Sequence, residues 1–439
     1  MTAVVSAAPG DGSSILPGLR EIDDVGRDAT RGGYSRHLWG DAELSLRQWF
    51  VSRAEALGLD VETDRNANIW AWWGTPGQDA VVTGSHLDSV PGGGAFDGPL
   101  GVVSALDAVA ALQALGVKPA RPFAVVVFAE EEGSRFGVAC LGSRLMTGKT
   151  SGDAARALVD SDGVSLASAG NRAGFDVTHL GRDQAALDRI GLFIELHVEQ
   201  GRGLIDLGEP VAVATSILAH GRWRMRFSGQ GNHAGATLMT GRRDPVVAAS
   251  RAILGVQDIA LGVERAGEVA RATIGRSHWN PGGTNVIAST ADVWLDARAG
   301  SDAGTRALVA AITEASQEAA TREGCTVSIV EESWSGEVQF DVALRSRLSG
   351  ALGGVPALPS GAGHDAGVLA GDVPTAMLFV RNPTGISHAP EEWASAADCA
   401  AGVEALTSIL RSLLVEGAAA APGPGGAPGR LAAPGPGGV

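Results

Sequence analysis

The segment GSHLDSVPGGGAFDG, residues 84–98, joins one imidazole and two carboxylates to the apolar run Ala80-Val81-Val82-Thr83. A strand over that run delivers His86 and Asp88 at its carboxyl end, and a glycine-rich loop then carries the chain to Asp97. Histidine and carboxylate at the end of a buried strand are candidate ligands for a divalent cation. Taken alone, the segment is equally compatible with a surface loop that holds a polar histidine.

Three further apolar runs end in the same way. Residues 123–128 lead into Glu130, Glu131 and Glu132, residues 192–196 into His197, Glu199 and Gln200, and residues 376–380 through Arg381 toward His388. In open α/β sheets ligands bind beyond the carboxyl ends of the strands, so groups far apart in sequence can converge there. A single histidine at a strand end is usually a satisfied structural residue, whereas four such ends agreeing point to a site. Cys140, Cys325 and Cys399 are widely spaced and form no CxxC pair. This speaks against a disulfide framework or a thiolate site and leaves histidine and carboxylate as the metal-binding groups.

The elements that must position these residues are short apolar runs alternating with helical patterns, which predicts an α/β fold with a mostly parallel sheet. Val102, Val103, Leu106, Val109 and Ala110 are spaced as the buried face of a helix that stops at Gly116. After Gly208 the texture changes: Trp223, Met225 and Phe227 alternate with Arg222, Arg224 and Arg226, and Val293 and Leu295 with Asp292, Trp294 and Asp296. These are half-exposed strands, with helices expected over residues 244–254 and 304–320. The reading is a discontinuous catalytic domain, residues 16–209 and 329–415, with a smaller α+β domain inserted at 210–328. Residues 1–15 are expected to be flexible and the Pro/Gly/Ala tract 416–439 to be a disordered tail.

Composition narrows the function. The chain has 439 residues, enough for two or three domains, and 45% hydrophobic against 19% charged residues. Its net charge of -15 and lack of a basic, aromatic-rich cluster disfavour nucleic acid as a partner. No apolar run approaches the ~20 residues of a membrane span and no secretory leader is evident, so a cytoplasmic protein acting on a small molecule is expected.

Five motifs occur in order: HLDSVPGGGAFDGPLGV, FAEEEGSRFG, ELHVEQG, GNHAG followed by RRDP, and GISHAPEE. Together they resemble the amidase, hydantoinase and carbamoylase branch of the M20 metallopeptidase-like family, over about residues 38–414. The resemblance implies a hydrolase with two divalent metal ions, zinc or manganese, and an inserted lid and dimerisation domain. It assigns His86 and His197 to one ion, Glu132 and His388 to the other, and Asp97 as the carboxylate bridging both. Asp88 would orient His86 from behind, Glu131 would be the general base, and Glu130 has no matching role. His233 and His364 match residues that stabilise an oxyanion, Gln200 a substrate-side amide, and Asn285 and Arg298 the holders of a substrate carboxylate. His233 would reach the partner subunit's site, which makes a homodimer a requirement. One departure stands out: where two threonines and a proline are expected after GNHAG, this chain has Ala236-Thr237-Leu238 before Met239.

Histidine rather than a carboxylate at position 197 resembles the ureido-cleaving members. It implies hydrolysis of the ureido C–N bond of a small carboxylate substrate, with release of ammonia and carbon dioxide. The run FVRNPTGISHAPEEW looks most like allantoate amidohydrolases, with N-carbamoyl-L-amino acid hydrolase or beta-ureidopropionase as the alternative. A non-catalytic relic of the fold would have lost Glu131 or a ligand, and none is missing.

Overall fold

A computed structural model of the chain describes residues 16–415; the two expected flexible ends lie outside the described residues. The larger sheet has nine strands. Its centre is parallel: Phe123–Phe128, Ala80–His86, Ile190–Val198 and Thr375–Val380 lie side by side in that order. Antiparallel strands flank this centre, Ile69–Trp73 on one side and Val211–Ile217 on the other. The four adjacent parallel strands carry the candidate residues, and one more parallel pairing, Ala357–Ser360 on Val211–Ile217, lies at the sheet's far side.

These four strands are apolar and buried on both faces, as parallel strands between helices must be. Side-chain alternation splits the core in two. Val81, Val125, Ile194 and Leu378 pack with Val102, Val103 and Leu106 of helix Pro99–Ala114 and with Leu410 of helix Ala396–Val415. Their neighbours Val82, Val126, Phe193 and Met377 pack on the other face with Trp70, Met146 and Leu369. The helix after the first strand stops where expected, with Gly116 at φ 71. The strands run longer than the apolar runs suggested. His86 is the last residue of its strand, and His197 lies within Ile190–Val198.

A second, antiparallel sheet has the order Thr326–Ser335, Ala219–Ser228, Thr290–Ala299, Ala270–Asn280. Helices Pro245–Arg265 and Asp302–Arg322 pack with it, burying Trp223, Met225, Phe227, Val293 and Leu295 against Ala248, Ala252, Leu308 and Ile312. Both helices begin at a side-chain cap, Asp244 accepting from the Val246 amide and Ser301 from the Gly304 amide. They run to Arg265 and Arg322, past the expected ends.

Strand pairing moves the expected boundaries of 210 and 328. Val211–Ile217 hydrogen-bonds to Thr375–Val380 and belongs to the larger sheet, whereas Thr326–Ser335 pairs along its whole length with Ala219–Ser228. The smaller unit therefore spans about residues 219–335. Val211–Ile217 is a buried apolar run and Thr326–Ser335 a half-exposed strand, and their pairing partners decide which sheet takes them. Asp292, expected on an exposed face, is buried because Arg226 covers it with two hydrogen bonds of 2.8 and 3.0 Å. Helix Pro245–Arg265 also corrects the hydropathy reading: its 21 residues are long and apolar enough to cross a membrane by composition. Its Ala248, Ala249, Ala252 and Val256 are spent on the smaller sheet's core, as in a core helix.

Candidate metal centre

His86, Asp97, Glu131, Glu132, His197 and His388 meet at the carboxyl ends of the central strands. Asp97 is the hub. Its Oδ1 lies 3.5 Å from His86 Nε2 and 3.2 Å from His197 Nε2, and its Oδ2 lies 3.5 Å from His388 Nε2. His388 Nε2 is in turn 3.4 Å from Glu132 Oε2. Two ligand groups result, His86/Asp97/His197 and Asp97/Glu132/His388, joined through one carboxylate.

The far ring nitrogens explain the aim of the near ones. His86 Nδ1 is 3.0 Å from the Asp88 carbonyl oxygen and His197 Nδ1 is 2.9 Å from the Val198 carbonyl oxygen. Donating there commits Nδ1 to its proton, so Nε2 is the nitrogen that ligates once the ring is neutral. Both Nε2 atoms are buried without a hydrogen-bond partner. Orphaned imidazole nitrogens turned toward a shared carboxylate fit divalent cations, which supply the missing partner.

Asp88 supports His86 through its backbone. Its carboxylate stands behind the same ring, Oδ1 3.6 Å from His86 Nδ1, and also sets the acidic turn: Oδ1 accepts from the Glu131 amide at 3.1 Å and Oδ2 from the Glu132 amide at 3.0 Å. Glu130, at φ 55, accepts from the Arg135 and Phe136 amides at 2.9 and 2.7 Å and so closes that turn structurally. Glu131 Oε2 stands 3.7 Å from His86 Nε2, and its Oε1 accepts from the Cys140 thiol at 3.2 Å.

Burial sets the electrostatics. It pushes Glu131 well above the usual carboxylate range despite the nearby His86, and with Asp97 it brings Glu132 to about 8. Burial also opposes charge on His197, but Asp97 and Glu195 outweigh it and raise the ring to about 9. At His364, burial and neighbouring His197 act together and hold the ring well below its ordinary value, so it is neutral.

Glu131, His364, Gln200 and Arg298 line one cavity of about 460 Å³ with Asp97, Glu132, His197 and His388. Gln200 Nε2 donates to Asp97 Oδ2 at 2.6 Å. His364 Nε2 is 3.1 Å from Ser360 Oγ, and its ring meets that of His197 edge-on at 4.6 Å. Arg298 grips Asp296 with Nε and Nη2 and donates through Nη1 to the Gly361 carbonyl, tying the smaller sheet to the loop before His364. His233 and Asn285 are not brought to this cavity. They sit exposed on a ribbon formed by Asn232–His233 and Val286–Ile287, where the Ala234 amide donates to the Asn285 carbonyl at 2.9 Å.

Three supporting residues escaped the sequence reading. Glu195 accepts from Ser85 Oγ at 2.9 Å and the Ala366 amide at 3.0 Å, and it forms a third possible ligand group with His197 and His364. Its position two residues before His197, on the same side of the strand, was the available signal. Glu392 accepts from the Phe96 and Asp97 amides at 3.1 and 2.9 Å and from Ser387 Oγ at 3.1 Å, and so fixes the loop that presents Asp97. Cys140, the third, carries no sequence signal.

A parallel-centred sheet with paired His/carboxylate groups at its strand ends is the architecture of a metallohydrolase class, and residues 82–412 match Peptidase family M20/M25/M40. The chain belongs to that family. Among named relatives, it is 35% identical to an N-carbamoyl-L-amino acid amidohydrolase of Geobacillus stearothermophilus, over 90% of this chain and 97% of that one. It is 33% identical to a ureidoglycolate hydrolase of Arabidopsis thaliana, over 91% and 87%. It is also 33% identical to an allantoate amidohydrolase of Bacillus subtilis, over 87% and 93%. The crystal structure of a hydantoinase/carbamoylase family amidase from Burkholderia multivorans superposes with a TM-score of 0.79 at 32% identity, covering 90% of this chain and 96% of that one.

Proposed function

We propose that this protein is a two-metal amidohydrolase that cleaves the ureido C–N bond of a small carboxylate substrate. The observation that carries the reading is the pair of buried, partnerless Nε2 atoms of His86 and His197 turned toward Asp97, with Glu131 beside them. His86 and His197 would hold one zinc or manganese ion, Glu132 and His388 the other, and Asp97 both. Bound there, the cations supply Lewis acidity and acidify water to near neutral pH.

The chain's own residues do the rest. Glu131 takes a proton from the attacking water and passes it to the leaving nitrogen, a task suited to a carboxyl whose pKa burial has raised. Cys140 holds one oxygen of Glu131 so that the other points at the reaction. His364, neutral and lining the cavity, contributes to the polar wall around the reacting carbonyl. Gln200 and Arg298 line the cavity where the substrate is oriented, Arg298 with its fork held by Asp296 and the Gly361 carbonyl.

His233 and Asn285 serve the site of a second copy in a homodimer. Their exposure on a ribbon away from their own cavity supports this, as does His233 itself: its Nδ1 accepts from the Gly235 and Ala236 amides, which leaves Nε2 as the outward donor. The smaller sheet would then act as lid and dimerisation unit.

Allantoate is the leading substrate, on the texture of the run around His388; the relatives make N-carbamoyl-L-amino acids and ureidoglycolate the competitors. Ammonia release from allantoate, N-carbamoyl-L-amino acids, N-carbamoyl-β-alanine and ureidoglycolate, with Mn²⁺ or Zn²⁺ supplied to the metal-free protein, is the test. No release from any of them refutes the reading.

A further inference from the structure

Besides the metal-binding groups, the cavity is lined by cations on helix Leu141–Thr147 and just beyond it, Arg144 and Lys149. Arg144 stands one helical turn from Cys140, its amide bonded to the Cys140 carbonyl at 2.9 Å, and Cys140 touches Glu131. One turn is ~5.4 Å of rise, so the Arg144 backbone lies one turn from the residue that bonds Glu131, and its side chain lines the same cavity.

Among the described residues neither cation has a carboxylate within salt-bridge distance. Arg144 Nε donates to the Ala139 carbonyl at 3.0 Å, and Lys149 Nζ donates to the Val368 carbonyl. The carboxylate that acts on Lys149, Asp372, lies outside the cavity lining and is itself held by Arg182 at 3.5 Å. The carboxylates lining the cavity, Asp97, Glu131 and Glu132, all belong to the candidate metal centre. Arg298, by contrast, already has its charge set against Asp296. In a chain of net charge -15, two cations facing the same cavity with no carboxylate in salt-bridge contact need a reason.

We propose that Arg144 and Lys149 form a substrate subsite, distinct from Arg298, that selects substrates carrying an additional acceptor oxygen group. Both side chains are donors only, so they match a carboxylate or a carbonyl and not an apolar side chain. Two sources share this chemistry: the second ureido carbonyl of allantoate, and the side-chain carboxylate of an N-carbamoyl acidic amino acid. The inference rests on the ureido reading above and sharpens its substrate class.

The test compares kcat/KM of the metal-loaded full chain and of Arg144→Met on allantoate, N-carbamoyl-L-aspartate and N-carbamoyl-L-alanine. The native protein is expected to prefer one or both of the first two over the third by at least tenfold. Arg144→Met should cut that preference about tenfold, chiefly through KM, in line with the loss of a charge-assisted hydrogen bond. Lys149→Met, on the exposed rim, should lower it less and serves if Arg144→Met does not fold. Which of the first two substrates loses more identifies the source.

Equal losses on all three substrates, or no change in preference, overturn the subsite. A second arm needs no turnover: succinate should raise the melting temperature of the native protein more than butyrate, and Arg144→Met should abolish the difference. A protein that releases ammonia from none of these three, nor from N-carbamoyl-β-alanine or ureidoglycolate, fails the ureido reading, and whenever the three are not turned over the succinate arm decides the subsite alone: a native protein that does not distinguish succinate from butyrate overturns it.

Discussion

At the scale of single residues, the account turns on Glu131. It shares a buried pocket with His86 and bonds Cys140, and no backbone amide fixes its carboxylate. Glu131→Gln keeps the shape and removes the proton carrier, so kcat should fall by about 10²–10⁴-fold while metal content by mass spectrometry stays unchanged. Retained activity with metal bound would remove Glu131 from its role. The ligands themselves make a second prediction. Without cations His197 is raised to about 9, so at pH 7 its ring is protonated and cannot ligate until the proton leaves. Metal binding should therefore release protons, and affinity should climb as pH rises toward about 9. Calorimetry in buffers of different ionisation enthalpy measures this; a buffer-independent heat contradicts it. The ligand types were legible in the sequence because four apolar runs end alike in histidine or acid, an agreement that no single end carries. Glu392 and the turn-setting bonds of the Asp88 carboxylate were not, because their partners are backbone amides, which every residue carries.

At the scale of elements, the loop between the first central strand and its helix positions the hub. Gly98 sits at φ 84 with an absent Cβ that would fall 2.5 Å from the His86 ring. Gly98→Ala should cost about 1–3 kcal/mol from backbone strain, and the displaced ring should weaken metal binding; both are read as melting temperature with and without added cation. Glu392→Ala leaves the Phe96 and Asp97 amides without their acceptor and should lower metal affinity about 10–100-fold, measured by competition with a chelator. Unchanged affinity would mean that Asp97 is held by other means. The sequence marked these elements well where apolar runs were continuous, as at residues 123–128. It misplaced the ends of the inserted unit, since the sheet that takes Val211–Ile217 and the one that takes Thr326–Ser335 are set by hydrogen-bonded neighbours far along the chain.

At the scale of the whole molecule, two separate constellations have to be joined. The cavity holds Glu131 and the candidate ligands, while His233 and Asn285 face outward from the smaller unit. Mixing inactive Glu131→Gln and His233→Ala proteins, with subunit exchange, should restore about a quarter of native activity, because half the dimers are mixed and each mixed dimer has one intact site. No recovery in demonstrably mixed dimers would place His233 elsewhere. The proposed partner copy comes from family resemblance alone, for no spacing in one chain encodes a contact with another. The most direct test of the central claim is to titrate metal-free protein with Mn²⁺ or Zn²⁺ while following ammonia release from allantoate and the competing ureido substrates. The account predicts no activity without cation and a rise that ends at about two equivalents per chain, as a bridged two-ion site requires. Full activity in the metal-free protein, or a rise complete at one equivalent, would contradict it.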